Sequence, residues 1–197
     1  VTMGSPRKSM VMSEDQKLAT ARHEAGHTVV AFHTTTSDPL HKVTIIPHGG
    51  ALGLTMQLPE EDKYCSTQEE YEDRIKVLLG GYLAEKLYYG DKGSTTGVKN
   101  DLQRAKAIAA AMVKEFGMSE LGPIYNSSGN DNVFLGREMA MTRRGDISEE
   151  VSSSIDREIR SIIEICMDKA KGILLHNKVA MDKLVDDLME HETLNAE

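Results

Sequence analysis

Apolar residues recur every three or four positions along most of this chain, a spacing that predicts a mainly helical protein. The first stripe is Leu18, Ala21, Ala25, Val29 and Phe32, read as a helix from about Glu14 to His33. Ser13-Glu14-Asp15-Gln16 has the form of a capping box at its start. Tyr71, Ile75, Leu78, Tyr82 and Leu87 carry a second helix, opened at Ser66-Thr67-Gln68-Glu69-Glu70 and stopped at Gly90. Leu102, Ala105, Ala109, Met112, Val113 and Phe116 mark a third, from about Val98 to Phe116, with Gly117 as its stop. Val151, Ile155, Ile159, Ile162, Cys166, Ala170 and Ile173 predict a long helix from Ser148. Met181, Leu184, Val185 and Leu188 predict a last one, whose acids Asp182, Asp186, Asp187 and Glu190 form a solvated face.

Two segments break the helical pattern. Lys42 to Ile46 and Leu52 to Leu58 favour strands, and Pro47-His48-Gly49-Gly50 supplies a turn between them. The pair reads as a hairpin beside the first helix. Its edge either accepts an extended peptide through main-chain hydrogen bonds, at Leu52, Gly53, Leu54 and Thr55, or only covers the core. Residues 1–12 read as a linker, and 118–147 as a long surface loop. The expected fold class is mainly α, of the α+β kind, with one domain over 13–197.

Composition narrows the function. The chain has 197 residues, enough to bury a sizeable core, and its 40% hydrophobic and 27% charged content is ordinary for a globular protein. A net charge of −8 argues against a nucleic-acid partner. No run approaches the roughly 18 apolar residues of a membrane span. Cys65 and Cys166 are too few for a disulfide framework, and Cys166 sits in an apolar stripe as a core residue. The start at Val1 reads as a fragment, and without a phosphate-binding loop any nucleotide-driven step is expected outside it.

The candidate chemistry lies at His23-Glu24-Ala25-Gly26-His27. On a helix, positions i and i+4 share a face, so both imidazoles can reach one metal ion, with Glu24 beside it as a general base. Zinc suits such a site: it accepts imidazole nitrogen and at catalytic centres takes three protein ligands. A shuffled chain of this composition would show the pattern roughly once in fifty. The remaining histidines, His33, His41, His48, His176 and His191, have no ligand spacing.

The third protein ligand is less legible. Asp101 follows a Gly-rich loop that could deliver it to a cleft, yet an acid in a first helical turn is expected from the helix dipole alone. Glu85 lies in an apolar context, Leu83-Ala84-Glu85-Lys86-Leu87. It either orients a ligand histidine through the ring's other nitrogen or is solvated or paired with a lysine.

Several motifs in order give a further indication. His23 to His27, Leu52-Gly53 with Leu58-Pro59-Glu60, Gly80-Gly81 with Ala84-Glu85, and Thr95-Thr96-Gly97 through Asn100-Asp101-Leu102 resemble the peptidase domain of the FtsH-type, membrane-anchored, ATP-dependent zinc metalloproteases. Phe116 to Ser119, Phe134 to Arg137, His191 to Leu194, and Gly4 with Arg7-Lys8-Ser9 extend the resemblance over nearly the whole chain. It departs mildly at Tyr82-Leu83 and at Val98-Lys99, which touch no proposed ligand.

The resemblance implies one zinc per chain held by His23, His27 and Asp101, with Glu24 as general base. It implies unfolded or membrane protein substrates, a hexameric parent, and ATP bound only at an upstream module joined through residues 1–12. It also implies membrane-spanning segments before that module. The Phe134-Leu135-Gly136-Arg137 segment resembles bacterial members, so the expected place is the bacterial inner membrane with this domain facing the cytoplasm. The alternative is a mitochondrial or chloroplast inner or thylakoid membrane. Two rival readings stand beside peptidase: a non-catalytic assembly or adaptor module with a structural zinc or none, and a zinc hydrolase of non-peptide amides.

Overall fold

A computed structural model describes residues 12–48, 50–59, 64–123 and 149–195. Helix α1 spans Glu14–Phe32, α2 Gln68–Tyr89 and α3 Lys99–Lys114, the last entered through a 3-10 turn at Thr96–Val98. Helices α4, Glu149–His176, and α5, Lys178–His191, complete the helical part among the described residues. Strands β1, Leu40–Thr44, β2, Leu54–Gln57, and β3, Thr193–Asn195, make a small antiparallel sheet in the order β2-β1-β3.

Local chemistry fixes where the first two helices begin. The Ser13 hydroxyl accepts from the Gln16 amide and the Gln16 side chain accepts from the Ser13 amide, both at 3.2 Å. Thr67 and Glu70 repeat this reciprocal cap on α2. Gly90 then takes a positive φ of 78°, which a side chain would resist, and ends α2.

Helix α2 is the centre of the core. Ile75, Leu79, Leu83 and Ala84 are buried, with α1, α3 and α4 packed around them. Ala21, Ala25 and Val30 come from α1, Ala105, Ala109, Met112 and Val113 from α3, and Ile155, Ile159, Cys166, Ala170 and Leu174 from α4. Helix α5 returns along α1 with Met181, Val185 and Leu188 buried.

The helical pattern is close to the expected one, with corrections at its ends. Phe32 is 72% exposed: it stands in the last turn of α1, where the ring lies edge-on to His33. Phe116 is half-exposed because α3 ends before it, and its ring stacks on Tyr71 instead. Val151, in the first turn of α4, is also partly exposed. Met12, assigned to the linker, is buried, so the folded body begins at least that early. The rest of that linker and residues 124–147 of the expected loop lie outside the described residues.

The sheet differs more. Strand β1 begins and ends two residues earlier than expected, because Ile45 leaves the ladder to donate its amide to Glu192. Strand β2 is shorter than 52–58. The hairpin pairs Val43 with Thr55 and Thr44 with Leu54, and β3 adds Val43 to Leu194 on the other side. Nothing in the alternation of residues 193–195 announces that third strand.

Candidate metal centre

Helix α1 presents His23 and His27 one turn apart, their rings edge-to-face with centroids 4.6 Å apart. The two Nε2 atoms lie 3.0 Å from each other. Asp101, in the first turn of α3, brings Oδ2 to 3.3 Å from each of them. Among the described residues this is the group of His, Cys, Asp and Glu side chains arranged closely enough to hold a metal ion.

The outer nitrogens are tied back. His23 Nδ1 lies 2.9 Å from Glu85 Oε1, and His27 Nδ1 lies 2.7 Å from the Val77 carbonyl. Both partners are acceptors, so each Nδ1 carries the proton and each Nε2 turns a lone pair inward. Glu85 is buried, and its other contacts are the Thr95 amide at 2.6 Å and the Thr95 hydroxyl at 3.1 Å. Of the two readings of Glu85, it is the contact with the histidine that the fold contains. The same carboxylate pins the loop before α3, and Thr95 also caps the 3-10 turn through the Gly97 amide. Asp101 is thereby delivered from a fixed start.

Three donors at 3.0, 3.3 and 3.3 Å from one another match the edge of a tetrahedron around a zinc-sized ion, about 3.3–3.4 Å for bonds of about 2.0–2.1 Å. Two inward lone pairs and a carboxylate repel unless a cation lies between them. In the metal-free protein a proton serves that need. Burial pulls the His23 imidazole down, but hydrogen bonds to Asp101 and Glu85 outweigh it and push it up to about 10. Burial would raise Asp101, yet the two imidazoles hold it well below the ordinary carboxylate range. Glu85 is lowered in the same way against its own burial, by His23 and Thr95.

Gly81 makes the space. A Cβ there would stand 2.5 Å from His23 Cε1 and 2.6 Å from His27 Nε2. The Gly80-Gly81 doublet in a helix interior costs about 1 kcal/mol per glycine against alanine, and that cost was the available sign of a close approach.

Glu24 faces the sheet. It is buried, and its Oε2 accepts from the Thr55 hydroxyl at 2.7 Å. Gly53 presses its bare backbone against the same carboxylate: a Cβ there would lie 2.7 Å from Oε1. Leu52, just before β2, is exposed, and Leu54 is half-buried. Strand β2 is the outer strand beside β1 among the described residues. His33, His41, His176 and His191 are exposed, and His48 closes the turn after β1 by bonding Ile46.

Three protein donors, with a buried carboxylate next in line on the same helix, follow the plan of a metal-dependent hydrolase rather than of a closed four-ligand structural site. The chain belongs to peptidase family M41, whose profile matches residues 10–197. It is 45% identical over 196 residues to the ATP-dependent zinc metalloprotease FtsH of Acidobacterium capsulatum, covering all of this chain and 30% of that protein. It is 44% identical over 197 residues to the ATP-dependent zinc metalloprotease FtsH of Photobacterium profundum, covering 28% of it. Against the ATP-dependent zinc metalloprotease FtsH 4 of Sorangium cellulosum the identity is 45% over 199 residues, covering 30%. The chain thus spans less than a third of the length of these relatives.

Proposed function

We propose that this chain is the catalytic domain of a zinc-dependent endopeptidase, with His23, His27 and Asp101 as zinc ligands and Glu24 as general base. The observation that carries the reading is the convergence of two Nε2 atoms and one carboxylate oxygen, each ring fixed from behind by an acceptor. When bound there, zinc supplies a Lewis acid that polarises a peptide carbonyl and makes a water acidic near neutral pH.

The chain's own residues do the rest. Glu85 and the Val77 carbonyl hold the imidazoles in the tautomer that donates electrons inward. Asp101 contributes the negative charge that two neutral histidines lack. Glu24 takes a proton from the attacking water and returns it to the departing amine. Glu85 acts behind His23 rather than on the substrate.

Strand β2 supports a peptide as the substrate. Its outer position beside Glu24 lets an extended polypeptide pair with Leu52, Gly53, Leu54 and Thr55 through main-chain hydrogen bonds. That requirement selects unfolded segments over folded ones and disfavours small non-peptide amides. The names of the relatives add ATP dependence, which we assign to a module outside this chain. Hexameric assembly and anchoring in a bacterial inner membrane are assigned to the parent enzyme in the same way. No helix among the described residues is long and apolar enough to cross a membrane.

Hydrolysis of unfolded casein, with and without chelator, tests the reading. Glu24→Gln is expected to keep its zinc and lose about 100-fold or more of the activity. Asp101→Ala is expected to lose zinc. A chelator-insensitive activity sinks the zinc mechanism, and no activity in a zinc-replete intact enzyme sinks the proposal in favour of the adaptor reading.

A further inference from the structure

Thr55 stands on β2 with its hydroxyl 2.7 Å from Glu24 Oε2, a distance typical of a hydrogen bond to a charged oxygen. The same hydroxyl is 3.3 Å from the Glu24 carbonyl and 3.4 Å from the Thr28 hydroxyl. One proton serves one strong bond, and the carboxylate is the shortest and most basic acceptor. Thr28 meanwhile satisfies the Glu24 carbonyl at 2.8 Å. Glu24 Oε2 is therefore occupied, whereas Oε1 lies against the bare backbone of Gly53, where a Cβ would stand 2.7 Å from it.

We infer that Thr55 is a positioning residue for Glu24: its hydroxyl fixes one carboxylate oxygen so that the other is presented for proton transfer. A buried glutamate has several rotamers, and a general base works only within about hydrogen-bond reach of its proton. Gly53, just before β2, and Thr55, within it, both meet the Glu24 carboxylate. One removes bulk from the carboxylate and the other adds a donor. The strand that offers its main chain to a peptide would then also aim the base.

This inference rests on the peptidase reading, and the experiment separates the two. In the intact zinc-loaded enzyme, Thr55→Val keeps the branched shape suited to a strand and deletes the hydroxyl, while Thr55→Ser restores it. The expected result for Thr55→Val is a fall in kcat of about 10- to 100-fold with KM within about twofold. Zinc retention against a chelator and melting temperature should match the parent protein, and Thr55→Ser should recover most of kcat. A parental kcat in Thr55→Val overturns the inference, as does a rise in KM alone, which would make Thr55 a peptide-contacting residue only. Zinc loss in Thr55→Val, or failure of serine to rescue, also overturns it by assigning a merely structural part. If Glu24→Gln stays fully active in the same assay, the general-base reading itself has failed rather than the part given to Thr55.

Discussion

Gly26 of α1 and Gly80 of α2 touch backbone to backbone: a Cβ on Gly26 would lie 2.4 Å from the Gly80 carbonyl oxygen, and one on Gly80 2.6 Å from that of Gly26. The glycine inside the His-Glu-x-x-His turn is thus where the two central helices cross. Alanine would gain helix propensity, about 1 kcal/mol, but the obstacle is backbone rather than a side chain that can swing away. Gly26→Ala is expected to cost about 1–3 kcal/mol net, read as a lower urea midpoint. A stabilised variant would mean that the helices can part without penalty.

One position along, the expectation for alanine is reversed. At Gly81 the added methyl meets imidazole tips, not backbone. Both rings are held from behind, so they cannot move aside without breaking the Glu85 or Val77 contact. Gly81→Ala should leave the melting temperature within a few degrees and weaken zinc about 10-fold or more in a chelator competition. Parental affinity would show that the rings have room elsewhere.

Glu85→Gln removes the charge behind His23 while keeping the size of the side chain. Zinc affinity is expected to fall about 10- to 100-fold. Amide exchange at Thr95 should also speed up, since its N–H loses a carboxylate acceptor. Unaltered values for both would reduce Glu85 to a filler.

The pH dependence of the metal-free protein follows from His23 and Asp101. The imidazole, ordinarily near 6.5, is raised to about 10 in the fold, so its protonation stabilises fully below about pH 6.5 and is lost as pH rises through 10. Asp101 is lowered, so its share is present above about pH 4 and lost only in strong acid. Chemical denaturation of the metal-free protein between pH 7 and 10 should show falling stability. The zinc-loaded protein should lack that slope, because the ion replaces the proton. Parallel pH curves would mean that His23 does not hold the proton.

Much of this architecture is written locally. Ser13 and Thr67 open their helices with reciprocal caps, Gly90 closes one, and three- and four-residue spacing marks what is buried in between. The turn that carries His23 and His27 is equally local. What spacing could not supply was any partner distant in sequence. Asp101 and Glu85 each admitted an ordinary surface reading, and only the folded contacts with His23 distinguish them. Thr55 gave no sign of its bond to Glu24, because a threonine in a strand is unremarkable by composition. Phe32 and Phe116 were misjudged because a periodic stripe does not say where the covering element stops.

Strand β3 gives residues 192–195 a part far from their own position in the sequence. The Glu192 carbonyl receives the Ile45 amide and the Thr44 hydroxyl, and residues 193–195 pair along β1. Strand β1 in turn carries β2, whose Thr55 grips Glu24. Removing residues 192–195 would therefore spare every helix among the described residues while unfastening the clasp behind the Glu24 carboxylate.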